Sequence, residues 1–277
     1  MIIFVYNYKC LRGNQRTIDK VINSLKEIYK NIICVNDIAL SDLNYNKINI
    51  LIIGGGDGSI NKILNKINST NIRPNITYGL IPLGTANDIC HNLNINNINR
   101  ALKVLKENKR NKYQLFKVND DYMMYAYAEG SIACLCDAHK CKKRLMRKWI
   151  YPFEGIKYLL NKKKIICIKI NDKIIVEKII ALIVVRSNYL GGFKISKNDS
   201  IDNINNSKVI IIKNIKDLIN LFIFRSSNNI EFDKYVDIYT SNNYYIDGEF
   251  NQAKRSFKKI TVNKEFIDII SWNYVIK

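Results

Sequence analysis

The fold is decided by residues 50–67, which read ILIIGGGDGSINKILNKI. The opening apolar run is typical of a short buried strand, and the glycines after it permit a sharp turn that exposes backbone N–H groups to an anion. Apolar residues at positions 60, 63, 64 and 67 then follow helical spacing. A strand, a glycine loop and a helix N-terminus in this order predict a phosphate-binding loop, although a simple tight turn is the commoner reading of one such loop. Asp57 lies among the glycines, where a carboxylate beside phosphate indicates a bridging cation.

A second loop, PLGTAND, occupies residues 82–88, one strand-and-helix unit further along the chain. Gly84 permits an unusual turn, and Thr85 supplies a hydroxyl group. Asn87 and Asp88 add polar groups at a predicted helix start, where Asp88 alone would most often be an N-cap. Because ligands of parallel sheets bind at the carboxyl ends of strands, the two loops together favour a nucleotide site.

The order of strand-like and helix-like segments changes along the chain. The segments before residue 110 are predicted strands at Met1–Tyr6, Asn31–Val35, Ile48–Ile53 and Tyr78–Ile81, and predicted helices at Thr17–Tyr29, Ser59–Ile67 and Asn99–Glu107. This alternation predicts a parallel α/β architecture. After residue 112, short strand-like runs separated by polar turns predict an antiparallel sandwich or barrel; one such run is Ile174–Val185.

The composition indicates a folded and strongly basic chain. With 277 residues and 47% hydrophobic content, it can bury a substantial core. The net charge of +20 favours an anionic partner such as a lipid headgroup surface, although a genome biased towards AT-rich codons would also raise the lysine count. No apolar run approaches the length of about 20 residues that crosses a bilayer. The N-terminal residues 1–6 are predicted to form a strand rather than a signal peptide.

Cysteine usage predicts reduced thiols. The chain has 7 cysteines, an odd number without the spacing of a disulfide framework, which favours a cytosolic protein. Cys134, Cys136, His139 and Cys141 form a compact cluster whose ligand types could hold zinc. The spacing differs from standard zinc knuckles, so unliganded thiols are the favoured interpretation.

The triplet DGE at residues 247–249 follows another strand-like segment. Asp-Gly is a common hairpin turn, whereas the functional interpretation is a carboxylate held at a strand end as a general base. GGDGS at 55–59, PLGTAND and DGE together resemble the diacylglycerol kinase catalytic-domain family, which includes bacterial soluble lipid kinases and the sphingosine kinases. CDA at 136–138 and NYLGGF at 188–193 resemble further segments of that family, so the resemblance spans nearly the whole chain.

The resemblance implies a fold of two domains. The first would be an α/β nucleotide-binding domain of residues 1–112 and 263–277, a parallel sheet with flanking helices. The second would be an antiparallel β-sandwich of residues 113–262 that binds the lipid substrate. The C-terminal segment of the chain would return to the first domain.

The resemblance also implies ATP-dependent phosphorylation of a lipid hydroxyl, with diacylglycerol converted to phosphatidic acid as the leading reaction and with ATP and Mg²⁺ as cofactors. Glu249 would deprotonate the lipid hydroxyl, and Asp57 and Asp88 would complete the catalytic set by holding Mg²⁺ through water. The implied ATP-binding residues are Gly54, Gly55, Gly56, Gly58, Ser59, Gly84, Thr85 and Asn87. These roles suit phosphoryl transfer, which needs positioning, charge neutralisation and an oriented nucleophile.

Several positions depart from the family pattern. Lys62 stands where the family commonly has Glu, and Gln114 stands where it commonly has Asp, a residue that Gln cannot replace as an anionic ligand. These departures favour a second hypothesis, a catalytically weak lipid- or nucleotide-binding protein. Residues 202–204, DNI, replace a loop that binds a structural Mg²⁺ in some relatives. NAD kinase is a third hypothesis, because such enzymes share the GGDG loop, but PLGTAND and DGE argue against it.

A dense basic run predicts a membrane surface. The run and the ring after it are Lys142, Lys143, Arg144, Arg147, Lys148 and Trp149. A solvated helix face is the alternative, but aromatic side chains directly after the cations favour an interface with anionic lipid. We therefore predict a cytoplasmic protein that associates peripherally with an anionic membrane surface. No nucleic-acid motif is present, so no nucleic-acid partner is predicted, and a homodimer is left open.

Overall fold

The structure is a computed structural model. It describes residues 1–7, 15–36, 44–68, 75–130, 163–196, 207–225 and 228–272. The chain divides into two compact units, Met1–Leu115 with Asn263–Lys277, and Phe116–Val262. The assignment of residues 1–112 and 263–277 to a nucleotide domain, and of 113–262 to a lipid domain, stays a prediction.

The first unit is built on a parallel sheet. Its strands are β1 (Ile2–Tyr6), β2 (Ile32–Asn36), β3 (Ile50–Gly55) and β4 (Thr77–Pro82). They lie in the order β2-β1-β3-β4, all parallel. Every residue of β3 and β4 is buried, as expected for strands that are covered on both faces. The C-terminal segment adds a fifth parallel strand, because Asp268 and Ile269 pair with Thr77 and Tyr78 of β4.

Helices connect these strands. They are α1 (Gln15–Ile28), α2 (Asp57–Asn68), α3 (Asp88–Asn92) and α4 (Ile98–Glu107). Helix α1 buries Ile18, Val21 and Leu25, which share one face at spacings of three and four residues. Asn97 caps α4 by accepting a hydrogen bond from the N–H of Arg100. The helices predicted from apolar spacing are present, with their ends shifted by one or two residues.

The second unit consists mainly of antiparallel strands. They include β5 (Arg110–Val118), β6 (Asp121–Met123), β7 (Ala126–Gly130), β8 (Lys164–Ile170), β9 (Lys173–Ile179), β10 (Ala181–Val185), β11 (Tyr189–Leu190), β12 (Phe193–Lys194), β13 (Ser207–Ile212), β14 (Asn229–Phe232), β15 (Tyr235–Tyr239), β16 (Tyr244–Ile246), β17 (Glu249–Asn251) and β18 (Phe257–Ile270). β5 and β18 each extend into the first unit.

Two sheets share the core of this unit. One has the order β14-β13-β10-β7-β16-β17, and the other contains the run β18-β15-β8-β9 with β5 and β6. Ile168 and Val236 of the second sheet belong to the same buried cluster as Leu182 and Tyr127 of the first. Side chains from two sheets that fill one core define a β-sandwich. The predicted fold class, an α/β region with a separate sandwich and a returning C-terminal segment, is confirmed.

Three elements of the second unit differ from the sequence prediction. The segment Ile174–Val185 forms two strands rather than one, because the chain passes from β9 in one sheet to β10 in the other. A helix, α5 (Ile215–Phe222), lies where no helix was predicted, and β18 is 14 residues long. Within the part of the chain that the structure describes, no helix is long and apolar enough to cross a membrane.

A buried ion pair lies inside the sandwich. Lys258 Nζ is 3.7 Å from Glu129 Oε2, and both side chains are almost fully buried. Tyr127 donates its hydroxyl proton to Glu129, and Lys258 donates to the carbonyl of Thr240 at 2.9 Å. Burial raises the pKa of the Glu129 carboxyl against the opposing effects of these partners, and burial lowers the pKa of the Lys258 ammonium. The ion pair, together with the separate hydrogen bonds from Tyr127 to Glu129 and from Lys258 to Thr240, explains how two charged groups are accommodated in an apolar core.

Candidate active site

The two glycine loops meet backbone to backbone at the carboxyl ends of β3 and β4. The N–H groups of Leu83 and Gly84 donate to the carbonyl of Gly55 at 3.0 and 3.2 Å. A Cβ atom on Gly84 would lie 2.4 Å from the Cα of Gly56, closer than any real Cβ contact. Position 84 therefore needs glycine for the loops to approach this closely, and a Cβ on Gly56 would be a tight contact at 3.2 Å from Gly84 Cα.

Asn87 shapes the second loop from within. Its backbone is left-handed, with φ 55° and ψ 41°, a conformation that Asn tolerates better than most residues. Its Oδ1 accepts a hydrogen bond from the N–H of Gly84, and its Nδ2 donates to the carbonyl of Gly84, both at 2.9 Å. Asn87 is buried, whereas Thr85 is exposed at the tip of the loop. The predicted contact of Asn87 with a nucleotide stays a prediction.

Asp57 joins the first loop to the helix that follows the second. Its Oδ2 accepts from the N–H of Asp88 at 3.0 Å, and its Oδ1 accepts from the N–H of Ile89 at 2.9 Å. The N-cap residue of α3, Asn87, makes no side-chain cap, so this carboxylate caps the helix from 31 positions away. The anion also suits the positive end of the helix dipole.

The thiol of Cys90, which lies near Asp57, is in its neutral form. Cys90 is fully buried in α3, and this burial, with the negative charge of Asp57 as a second cause, raises the pKa of its thiol well above the ordinary value. Since only the thiolate is a strong nucleophile, Cys90 is a packing residue of the site.

Gly58 and Ser59 lie half-buried in the first turn of α2, where their backbone is placed for an anion at the helix N-terminus.

The packing of Gly84 predicts a large effect of a single methyl group. We expect Gly84→Ala to separate the two loops, because its Cβ would meet Gly56 Cα at 2.4 Å and Asn87 Oδ1 at 2.7 Å. Overpacking of this kind costs about 1–3 kcal/mol of unfolding free energy. ATP affinity, measured by calorimetry, should fall at least about tenfold if the backbone of these loops binds phosphate.

Gly191→Ala is the matched control for this change. A Cβ at Gly191 meets nothing within 4 Å, although its φ of 63° adds backbone strain. This variant should therefore lose some stability without losing ATP affinity. Unchanged ATP affinity in Gly84→Ala would show that the close approach of the loops is not needed for binding.

A second group of candidate residues lies in the β16–β17 hairpin. Asp247 and Gly248 form its two-residue turn with φ of 48° and 87°, and Ile246 pairs with Glu249 across it. Two positive φ angles are typical of a type I′ turn, the predicted structure for Asp-Gly. Glu249 is the first residue of β17 and is exposed, so its carboxylate is accessible to a substrate.

Asp247 was not predicted to have a role, yet it is the most tightly held carboxylate of the hairpin. Its side chain is fully buried and accepts from the N–H groups of Met124, Tyr125 and Ala126 at 2.6, 2.9 and 3.0 Å. Its own N–H donates to the carbonyl of Ala126 at 2.8 Å. The turn that presents Glu249 is thereby fixed to the segment between β6 and β7.

The carboxylates of the first unit fit Mg²⁺ held through water. Within the described ranges, no three His, Cys, Asp or Glu side chains are grouped to enclose a metal ion. Mg²⁺ commonly keeps several waters and uses one or two carboxylates together with substrate phosphates. Asp57 keeps 7% of its surface exposed, whereas Asp88 is fully buried. Asp57 is therefore the better placed of the two to meet a hydrated ion.

The remaining predicted residues fall into two groups. Lys62 is exposed on α2, and Gln114 is half-buried on β5. The basic run of residues 142–149, the cysteine and histidine cluster of 134–141 and the DNI segment of 202–204 lie outside the described residues. The membrane surface predicted for Lys142, Lys143, Arg144, Arg147, Lys148 and Trp149 therefore stays a prediction.

Comparisons of sequence connect these loops to known proteins. A sequence model of the diacylglycerol kinase catalytic domain matches residues 13–118. A diacylglycerol kinase of Staphylococcus aureus is 32% identical over 118 residues, which are 42% of this chain and 37% of that protein. A protein of Staphylococcus carnosus that carries the name of a lipid kinase is 28% identical over 168 residues, 60% of this chain and 54% of that protein. The chain thus spans about half, or less, of these relatives.

Comparisons of structure extend over both units. A diacylglycerol kinase from Bacillus anthracis superposes with a TM-score of 0.72 at 18% identity, covering 98% of this chain and 96% of that one. An NAD kinase from Archaeoglobus fulgidus, in complex with ATP, gives a TM-score of 0.50 at 11% identity over 98% and 94% of the two chains. At these identities the likeness shows the fold alone. Since both glycine loops lie within the matched residues 13–118, the resemblance of this chain to the diacylglycerol kinase catalytic-domain family is confirmed.

Proposed function

We propose that this protein is a lipid kinase that transfers the γ-phosphoryl group of ATP to a lipid hydroxyl, with diacylglycerol as the first candidate substrate. The observation that carries the proposal is the hydrogen bonding of Asp57, which makes the two glycine loops and the start of α3 one rigid assembly. The N-terminus of α2 and a bare glycine backbone at the end of adjacent strands suit a polyphosphate.

The residues of the first unit would bind and orient ATP. Backbone N–H groups of Gly54 to Gly58 and of the Gly84 loop would hold the phosphates, and the exposed Thr85 hydroxyl would contact the nucleotide. Asp57 would hold Mg²⁺ through water, and Asp88 would act beside it from the start of α3. When bound, this ion neutralises charge on the phosphates.

Glu249 would act on the lipid. As its carboxylate takes the proton of the lipid hydroxyl, the lipid oxygen forms a bond to the γ-phosphorus. The bond from that phosphorus to the oxygen bridging the β- and γ-phosphates breaks, and ADP leaves with the electron pair. A positioned base of this kind commonly contributes about 10²–10⁴-fold to the rate.

We further propose that the protein works from the cytoplasm at an anionic membrane surface.

The test is transfer of labelled γ-phosphate from ATP–Mg²⁺ to a panel of lipids in anionic mixed micelles, with NAD as a soluble acceptor. Label in phosphatidic acid or another lipid phosphate would support the proposal and name the substrate. Label in NAD alone would replace it with the NAD kinase hypothesis. ATP binding without phosphate transfer would favour the hypothesis of a catalytically weak binding protein. The variant Gln114→Asp would then test whether the lack of a carboxylate at position 114 causes the inactivity.

Glu249→Gln is the diagnostic variant for the base. We expect about 10²–10⁴-fold lower kcat with unchanged thermal unfolding, because the side chain is exposed. Glu231→Gln is the matched control, since Glu231 is another exposed glutamate on a strand of the same unit. Equal activities of the two variants would exclude Glu249 as the base.

A further inference from the structure

Helix α5 carries an apolar stripe that faces solvent. Ile215, Ile219 and Ile223 recur every four residues and therefore share one side of the helix. Their side chains are 48%, 39% and 68% exposed, and Phe224, directly after them, is 57% exposed. Contiguous exposed apolar surface of this kind marks a site of contact with a partner or a membrane.

The stripe belongs to a firmly held helix. Asn214 and Asp217 form a reciprocal capping box at its start. Leu221 is fully buried on its inner side. Phe222, seven positions after Ile215 and therefore beside the stripe, packs edge-on against Phe193 with ring centroids 5.8 Å apart. The apolar surface of the helix is therefore broad; its Leu221 and Phe222 part packs within the fold, and the stripe is left exposed.

The charges around the stripe are basic. Lys216 and Arg225 are exposed near its two ends. The acidic side chain of the helix, Asp217, accepts hydrogen bonds from the N–H groups of Lys213 and Asn214. These cations are part of a chain whose net charge is +20. A second copy of the chain would bring the same cations together, whereas anionic headgroups would complement them.

We propose that α5 docks on an anionic lipid surface, with Ile215, Ile219, Ile223 and Phe224 at the acyl boundary and with Lys216 and Arg225 at the headgroups. This arrangement is typical of interfacial helices. These residues are distinct in sequence from the predicted basic run of residues 142–149. The inference deepens the proposed function, on which it rests for the need to reach a lipid, but binding itself requires no catalysis.

The test measures binding of the full chain to sedimented vesicles without ATP. Phosphatidylcholine vesicles with added phosphatidylglycerol are compared with phosphatidylcholine alone. We expect Ile223→Ser with Phe224→Ser to lower the affinity for anionic vesicles at least about tenfold. Ile174→Ser with Val176→Ser is the matched control, because these side chains are 68% and 63% exposed on β9, and it should bind as the parent does.

Three outcomes would overturn the proposal. One is unchanged vesicle binding of the Ile223 and Phe224 variant, and another is an equal loss in the control. The third is a parent dimer that the variant converts to a monomer in sedimentation velocity, which would assign the stripe to a second copy. Phosphorylation of a short-chain diacylglycerol in monomeric solution separates this test from that of the proposed function, because no membrane is involved. The variant should phosphorylate this substrate as the parent does. Inactivity of the parent would count against the proposed kinase activity and not against membrane docking of α5.

Discussion

Asp57→Ala is expected to reduce phosphoryl transfer by at least about 10³-fold and also to destabilise the first unit. The substitution removes the acceptor for the buried N–H groups of Asp88 and Ile89. Each unsatisfied buried donor costs about 1–3 kcal/mol, so the unfolding free energy should fall by at least about 2 kcal/mol. A carboxylate that acted only on a metal ion would leave stability unchanged or raise it.

Urea unfolding and labelled phosphate transfer would be measured on the same preparations of Asp57→Ala. Asn97→Ala is the matched control, since Asn97 caps α4 in the same unit through one local bond to Arg100. It should cost about 1 kcal/mol and leave activity intact. Parent-like stability of Asp57→Ala, with activity lost, would contradict the capping role and confine Asp57 to the chemistry.

The first unit shows what local sequence can encode. The β3 strand, the glycine turn and α2 were all predictable, because the apolar run, the glycines and the helical spacing are adjacent in residues 50–67. The bonds from Asp57 to α3 were not, because the partners are 31 and 32 positions apart. They depend on the parallel register that places Gly55 opposite Pro82.

The second unit shows where local patterns mislead. The strand-like run from Ile174 to Val185 has no turn residue at Ile180, where the chain changes sheets, so it resembles one long strand. Helix α5 was not predicted, although Ile215, Leu218, Ile219 and Phe222 follow helical spacing and the Asn214–Asp217 pair is a helix-start signal that could have found it. Glu249 was recognisable from its triplet, whereas the contacts of Asp247 span 121 to 123 positions.

Asp247→Ala should be the most destabilising single change in the hairpin. It leaves the buried N–H groups of Met124, Tyr125 and Ala126 without their carboxylate acceptor. The expected loss of unfolding free energy is at least about 3 kcal/mol, from about 1–3 kcal/mol for each of the three donors. Glu249→Ala, two positions away but exposed, should change stability by less than about 0.5 kcal/mol.

The activities of these variants test whether Asp247 is a positioning residue that acts through Glu249. If it is, the double variant should transfer phosphate no more slowly than Glu249→Ala alone, since a base that is absent cannot be misplaced. Asp247→Asn, which keeps one acceptor oxygen, should recover part of the stability and show a kcat loss larger than its change in KM. Independent, multiplicative losses in the double variant would mean that Asp247 supports the substrate site by another route. Unfolding free energy is expected to depend on Asp247, and phosphate transfer is expected to depend on Glu249. Measuring both quantities therefore distinguishes a structural role of the turn from a catalytic role.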